Sequence, residues 1–269
     1  MSLEDALGRL SAKLPAFEPG HVWLAGAGPG AAGCLTLDVI AALSQADAIV
    51  YDALVDSSVL AAARSDAKLH FAGKRGGDNR SARQDDITAL LIHLARERLR
   101  VLRLKGGDPY IFGRGGEEAL ALAQASVPFR ILPGVTSAFA ALANAGIPAT
   151  MRGFNKAIVL ATGHAAGTPD DLDWATLART GQPIVVYMGL KNLPEIAAEL
   201  MAGGLSPSTP VAVIVAATTP VERVLVATLA DVAERAAAGG FVSPALIVVG
   251  DIVSMRAELA GAAVEAKSA

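Results

Sequence analysis

The sequence predicts an α/β protein of two domains, the first built on a mainly parallel sheet and the second on a mixed one. Short Val- and Ile-rich runs alternate with Ala/Leu-rich segments of helical period, the pattern of strands joined by crossover helices. The series starts again after Gly146-Ile-Pro148. Within the second series the runs Val211–Ala216 and Val224–Thr228 stand too close together for a crossover helix between them, so they pair antiparallel.

In chain order, Met1–Gly20 reads as an extension with a short helix from Leu3 to Leu14. Strands follow near Val22–Ala25, Ala48–Tyr51, Lys68–Phe71, Val101–Leu104 and Phe129–Leu132, each a short β-branched or apolar run bounded by turn residues. Helical period places helices at Leu35–Ser44, Asp85–Arg96, Glu117–Gln124 and Ser137–Asn144. Beyond the turn Thr150–Asn155, strands are expected near Ala157–Ala161, Ile184–Met188, Val211–Ala216, Val224–Thr228 and Ala245–Val249. The resulting division is an extension 1–20, a first domain 21–150, a second domain 151–255 and an Ala-rich, frayed tail 256–269.

Of the 269 residues 52% are apolar, enough for sizeable cores, yet no apolar run approaches the roughly 20 residues a membrane span requires. Glu4, Asp5, Arg9 and Lys13 break the start, which lacks the layout of a secretory signal, so a cytoplasmic protein is expected. Cys34 is the single cysteine, and His21, His70, His93 and His164 show no ligand spacing; no disulfide and no metal site is expected. A formal charge of −3 argues against a nucleic-acid or membrane-surface binder.

The basic residues are unevenly placed. Lys74, Arg75, Arg80, Arg83, Arg96, Arg98, Arg100, Arg103, Lys105 and Arg114 make up ten of the 23 in about a sixth of the chain, which points to an anionic ligand. Arg96, Arg98 and Arg100 are better read as ending a helix favourably. Lys74, Arg75 and Arg114 lie in Gly-rich loops, where backbone can approach a ligand closely, and are the candidates for binding it.

Gly28-Pro-Gly-Ala-Ala-Gly33 follows a predicted strand, opens a helix and formally satisfies the dinucleotide fingerprint G-x-G-x-x-G, with Asp52 placed as the acidic ribose partner. Against that, Pro29 removes a backbone N–H from a loop that would have to cradle phosphate. A tight turn without any ligand is also open at this point. Thr136 and Ser137 could be helix caps, Met188 core filling and Asp52 a turn residue.

Further loops at predicted strand ends carry unusual chemistry: Val50–Leu54, Ala72-Gly-Lys-Arg-Gly-Gly77, Lys105–Glu118, Leu132–Ser137 and Val186–Gly189. Together these segments resemble the tetrapyrrole methylase family, above all in Gly73-Lys-Arg-Gly-Gly77 and Gly106-Gly-Asp-Pro-Tyr-Ile-Phe-Gly-Arg-Gly-Gly-Glu-Glu118, and the similarity runs from about Val22 to Val253. The resemblance implies the class III methyltransferase fold, two α/β domains with S-adenosylmethionine folded into the cleft between them, and a homodimer. It implies carbon methylation of uroporphyrinogen III at C2 and C7, through precorrin-1 to precorrin-2, for cobalamin, sirohaem or haem d1 synthesis.

Carried over by position, the cofactor would be held by Pro29, Gly106, Gly107, Asp108, Ile111, Thr136, Ser137, Met188, Ala217, Pro244 and Ala245. Asp52 matches the family's proton acceptor and Lys74 its proton donor, while Arg114, Glu117 and Arg152 match positions facing the macrocycle. Arg114 is also a candidate for steering the proton, and Arg75 joins the substrate set through its basic loop. Ala216-Ala-Thr218 departs mildly from the family pattern. An acidic macrocycle would account for the basic cluster without a basic protein. The remaining readings are a methyltransferase for a later corrin intermediate, for diphthamide or for ribosomal RNA, a nicotinamide-dependent oxidoreductase, and a non-catalytic cofactor-binding module. The chain is too short for an added dehydrogenase or chelatase domain, so the reaction is expected to stop at precorrin-2.

Overall fold

A computed structural model describes residues 3–11, 14–73, 84–164 and 172–260. The chain divides into two compact units, 1–137 and 138–269.

After α1 (Leu3–Ser11), the first unit is a sheet of β1 (Val22–Gly26), β2 (Ala48–Tyr51), β3 (Lys68–Phe71), β4 (Val101–Lys105) and β5 (Phe129–Leu132), in the order β3-β2-β4-β1-β5. Every neighbouring pair is parallel. Strand alternation sorts the side chains into two layers. Trp23, Ile49, Leu102 and Leu104 face α2 (Leu37–Gln45) and the 3-10 turn Ser57–Ala62. Val22, Leu24, Ala48, Val50 and Val101 face α3 (Gln84–Arg96) and α4 (Gly115–Gln124). The helix expected from Leu35 begins at Leu37 instead, because the Thr36 side chain caps it by accepting from the Val39 N–H. Residues 14–20 are built into this unit: Phe17 is buried and stacks on Trp23 with ring centroids 4.1 Å apart.

The second unit holds a sheet of β6 (Val159–Thr162), β7 (Ile184–Tyr187), β8 (Pro210–Val215), β9 (Arg223–Thr228) and β10 (Ala245–Val249), ordered β6-β7-β10-β8-β9. It is mixed as expected: β6 and β7 are parallel, and β10 runs against both β7 and β8. β8 and β9 form the antiparallel pair that their short connection predicts. On one face lies α5 (Ser137–Asn144), where Ala138, Ala141 and Leu142 join the core of Val185, Ala212, Ile214 and Val248. The other face is covered by α6 (Trp174–Arg179), α7 (Leu193–Ala202) and α8 (Val232–Ala238), which bury Trp174, Ile196, Leu200 and Val232.

Three strand ends differ from expectation for identifiable reasons. β6 starts at Val159 because the N–H groups of Lys156 and Ala157 donate to the Gln182 side chain. Met188 and Ala216 leave their strands because both backbones turn left-handed, with φ of 53° and 50°. The stretch after Met255 is helical through residue 260 rather than frayed, since Met255 is buried and Arg256 donates to the Ala145 carbonyl.

Candidate active site

In a parallel sheet every loop that follows a strand emerges at one edge, which is where open α/β sheets bind ligands. The first unit gathers Pro29 after β1, Asp52 after β2, Gly106 to Ile111 after β4, and Thr136 and Ser137 after β5 at that edge.

The chemistry beneath this edge is a buried charge network. Val50 pairs with Arg103 across β2 and β4, so Arg103 points toward α3 and α4, as does Lys105 two residues on and Asp52 just past β2. Arg103 is 1% exposed. Its Nη2 donates to Asp52 Oδ1 at 2.6 Å, and its Nε donates to Glu118 Oε1 at 3.1 Å. Lys105 Nζ lies 3.1 Å from Glu118 Oε1 and 3.6 Å from Asp52 Oδ2. Gln84 Nε2 gives Glu118 Oε1 a third donor at 2.8 Å, while Glu118 Oε2 is buried with no hydrogen-bond partner. Burial, reinforced by the neighbouring Arg103 charge, pushes the Lys105 pKa below its ordinary value; Asp52 and Glu118 oppose the shift. Two cations and two carboxylates balance, and only Asp52, with 26% of its side chain exposed, reaches solvent.

The loops above the network interlock through backbone. A Cβ on Gly134 would lie 2.3 Å from the Gly107 carbonyl oxygen, and one on Gly26 would lie 2.6 Å from Gly134 Cα. Gly107 has φ of +68°, a conformation glycine adopts without penalty. Gly106 and Gly73 meet the Asp52 loop as closely, at Leu54 and Ala53. Asp108 secures the assembly, accepting from the Gly134 N–H at 3.0 Å with one oxygen and from the Tyr110 N–H at 2.8 Å with the other.

This geometry corrects the dinucleotide reading. The N–H groups of Ala27 and Gly28 are already spent on the carbonyls of Lys105 and Gly107, and Pro29 has none, so residues 27–29 bring no N–H to a phosphate. In the dinucleotide fold the ribose-binding acid follows a strand beside β1. Here β4 separates β1 from β2, which sets Asp52 about 10 Å across the sheet from β1, and its carboxylate is bound to Arg103. What remains is a glycine surface without the strand order and ribose acid of a dinucleotide site.

The second unit also collects its candidates at one edge. β7 and β8 both run against β10, so their carboxyl ends lie together with the start of β10, which pairs Leu246 with Tyr187 and Ala245 with Val215. Met188, Ala217, Pro244 and Ala245 therefore share that edge. Arg152 does not: it is exposed in the turn 151–155, whose Asn155 holds the carbonyls of Ala149 and Ala157 ahead of β6. The left-handed backbones were not legible in the sequence. Among the described residues, seven non-glycine residues have positive φ, and Phe112, Arg114, Met188, Ala216 and Thr218 follow β4, β7 or β8. Such strained positions cluster at functional sites.

Several basic residues have other duties than an anionic ligand. Arg103 and Lys105 are sealed beneath the sheet edge. Arg100 and Arg64 hold Asp47 at 2.7 and 2.9 Å, and the Arg100 hydrogen bond brings the Asp47 pKa down to about 2. Arg114, the left-handed residue before α4, is paired with Glu117 at 2.6 Å; both are exposed, and the shared hydrogen bond raises the arginine pKa and lowers the glutamate pKa. Lys74 and Arg75 lie outside the described residues. Among the described residues no His, Cys, Asp and Glu cluster could hold a metal, and no helix is long and apolar enough to cross a membrane.

Comparison with known proteins agrees with this architecture. A uroporphyrinogen-III C-methyltransferase from Sinorhizobium sp is 52% identical over 252 residues, covering 93% of this chain and 90% of that one. A siroheme synthase from Methylococcus capsulatus is 47% identical over 96% of this chain, which spans only about half, 54%, of that longer protein. The crystal structure of uroporphyrin-III C-methyl transferase from Thermus thermophilus complexed with S-adenyl homocysteine superposes with a TM-score of 0.72 at 39% identity, covering 87% of this chain and 99% of that one. The sequence pattern of the Tetrapyrrole (Corrin/Porphyrin) Methylases spans residues 21–233, and the chain belongs to that family.

Proposed function

We propose that this chain moves methyl groups from S-adenosylmethionine to uroporphyrinogen III, at C2 and C7, giving precorrin-2 by way of precorrin-1. The observation that carries the reading is the near full-length similarity to a protein named for that reaction. The partly exposed Asp52 carboxylate, at a glycine-walled strand edge whose residues 27–29 bring no N–H to a phosphate, supports it from the structure.

S-adenosylmethionine supplies an electrophilic methyl group on sulfur. The protein's part is to hold a pyrrole carbon in line with that methyl and to keep water away, since orienting two bound reactants removes much of the entropic barrier. As the new carbon–carbon bond forms and the sulfur–carbon bond breaks, the macrocycle becomes cationic and must shed a proton. Asp52 is the assigned acceptor, a carboxylate in reach of solvent that can pass the proton on. Gly106, Gly107, Ile111, Thr136, Ser137, Met188, Ala217, Pro244 and Ala245 are assigned to the cofactor, with Pro29 shaping its loop. Asp108 acts mainly by fixing the Gly134 and Tyr110 backbones. Lys74 is assigned as the proton donor, and Arg114 and Glu117, with Arg75, are assigned to the acidic macrocycle, arginine being suited to paired hydrogen bonds with carboxylates. The reading extends to a cytoplasmic homodimer whose product serves cobalamin or sirohaem synthesis.

The test is an oxygen-free assay with uroporphyrinogen III and methyl-labelled S-adenosylmethionine. Two labelled methyl groups per tetrapyrrole are expected. A tetrapyrrole that stays unlabelled, while the protein still binds S-adenosylhomocysteine, would overturn the substrate.

A further inference from the structure

We infer that Lys105 and Glu118 are positioning residues for Asp52: with Arg103 they form a sealed charge frame that fixes the Asp52 carboxylate at the sheet edge. The inference rests on the reading of Asp52 as proton acceptor.

Arg103 occupies a position in the sheet row between Val50 and Leu24 that an aliphatic side chain would fill without desolvation cost. Sealing ions away from water is expensive, and an apolar replacement of a whole buried network is often as stable or more so. Holding α4 on the sheet is therefore a weak reason for this network. Its asymmetry suggests another. Three members are 0%, 1% and 4% exposed, and the fourth, Asp52, opens to the surface where the substrate must come. Arg103 fixes Oδ1 by a hydrogen bond and Lys105 flanks Oδ2 as an ion pair, so both carboxylate oxygens are set from below. Glu118 sets the two cations in turn, turning a single oxygen, Oε1, toward Arg103, Lys105 and Gln84 and leaving Oε2 without a partner.

The groups around Asp52 also define what a pH profile would report. From β4 come Arg103 and Lys105, from α4 Glu118, and from α3 the neutral Gln84. β3 adds His70, which shares the row of Val50 and Arg103 and whose Nε2 is buried with no hydrogen-bond partner. Removing the Lys105 cation favours the protonated form of a neighbouring carboxylate, so the acidic limb of the kcat profile should move to higher pH.

The decisive experiment compares Lys105→Met, Glu118→Gln and Asp52→Asn, and each of the first two combined with Asp52→Asn, in the full chain. The readouts are kcat, KM, the pH profile and S-adenosylhomocysteine affinity by calorimetry. Glu118→Gln keeps an oxygen for the three donors and serves where Lys105→Met does not fold. Each single frame variant should lower kcat about tenfold or more and leave S-adenosylhomocysteine affinity within about twofold. The acidic limb should move up in Lys105→Met, which removes a cation, and down in Glu118→Gln, which removes an anion. Each double variant should be no slower than Asp52→Asn alone, because residues acting through one group are not additive. Frame variants with the parent kcat and pH profile would overturn the inference while leaving Asp52 in place. Double variants about tenfold slower than Asp52→Asn would equally overturn it. Full activity in Asp52→Asn would remove the acceptor and the frame together.

Discussion

The two units solve the same packing problem, a five-stranded sheet covered on both faces, with different materials. The second closes its core with aliphatic side chains around Trp174, and its buried polar side chain among the described residues is the neutral Thr209. The first places Arg103, Lys105 and Glu118 in its interior. Buried side-chain charge is thus concentrated in one unit, whereas the strand ends of the other carry left-handed backbone at Met188, Ala216 and Thr218. Core changes in the second unit should therefore cost stability, and changes around the first unit's network should cost rate.

The largest expected effect tests the apolar side of that contrast. Trp174→Ala should destabilise the protein by about 3–5 kcal/mol in chemical denaturation, since the side chain is 1% exposed and its removal leaves a large cavity in the core. Methylation per folded molecule should stay within about twofold; a much slower enzyme would show that the second core also sets the site.

Asp52→Asn is the counterpart in the first unit. It should lower kcat by about a hundredfold, equivalent to about 2.7 kcal/mol in the barrier, with S-adenosylhomocysteine affinity unchanged in calorimetry. Loss of cofactor affinity instead of rate would move Asp52 from proton transfer to binding.

A smaller effect separates structural from functional charge within the first unit. Asp47 is held by Arg100 and Arg64, and its pKa falls from 3.8 to about 2. A carboxylate whose folded pKa is depressed stabilises the fold above its unfolded pKa and loses that contribution as pH falls through the folded one, here from about 4 to about 2. Asp47→Asn should cost on the order of 1–2 kcal/mol near neutrality, trimmed by solvent screening, and the difference from the parent protein should vanish near pH 2. Denaturation curves across that range with a pH-independent difference would exclude the ion pair as its cause.

The smallest concerns the second unit's backbone. Ala216 has φ of +50°, so Ala216→Gly should raise stability by about 0.5–1 kcal/mol in thermal denaturation. No gain would mean that the loop is unstrained.

The strands of the first unit were legible to within a residue, because fully buried parallel strands read as short apolar runs between turns. The second unit's strands could be placed too, but α6 and α8 are too short, at six and seven residues, for a helical period to stand out. The loops of the site were legible through their glycines. The charge network was not, although its signal was present: Arg103 and Lys105 stand two apart in Val101-Leu-Arg-Leu-Lys105, which on a strand means one face. Reading them with the other basic residues as partners for an anionic ligand missed that the same strand buries them. The duties of Ala27 and Gly28 N–H groups were also hidden, because they depend on which strand lies beside β1.

The interlocked glycines have a consequence for how such a protein can diversify. Where Gly26, Gly107 and Gly134 meet, each loop is in contact with the next through main-chain atoms, and a single methyl group at Gly26 or Gly134 would have to push strands apart. The joint offers selection no side chain to vary. Within this unit new substrates must be accommodated by the outward arm, residues 108–114, while the joint stays a fixed pin on which that arm is hung.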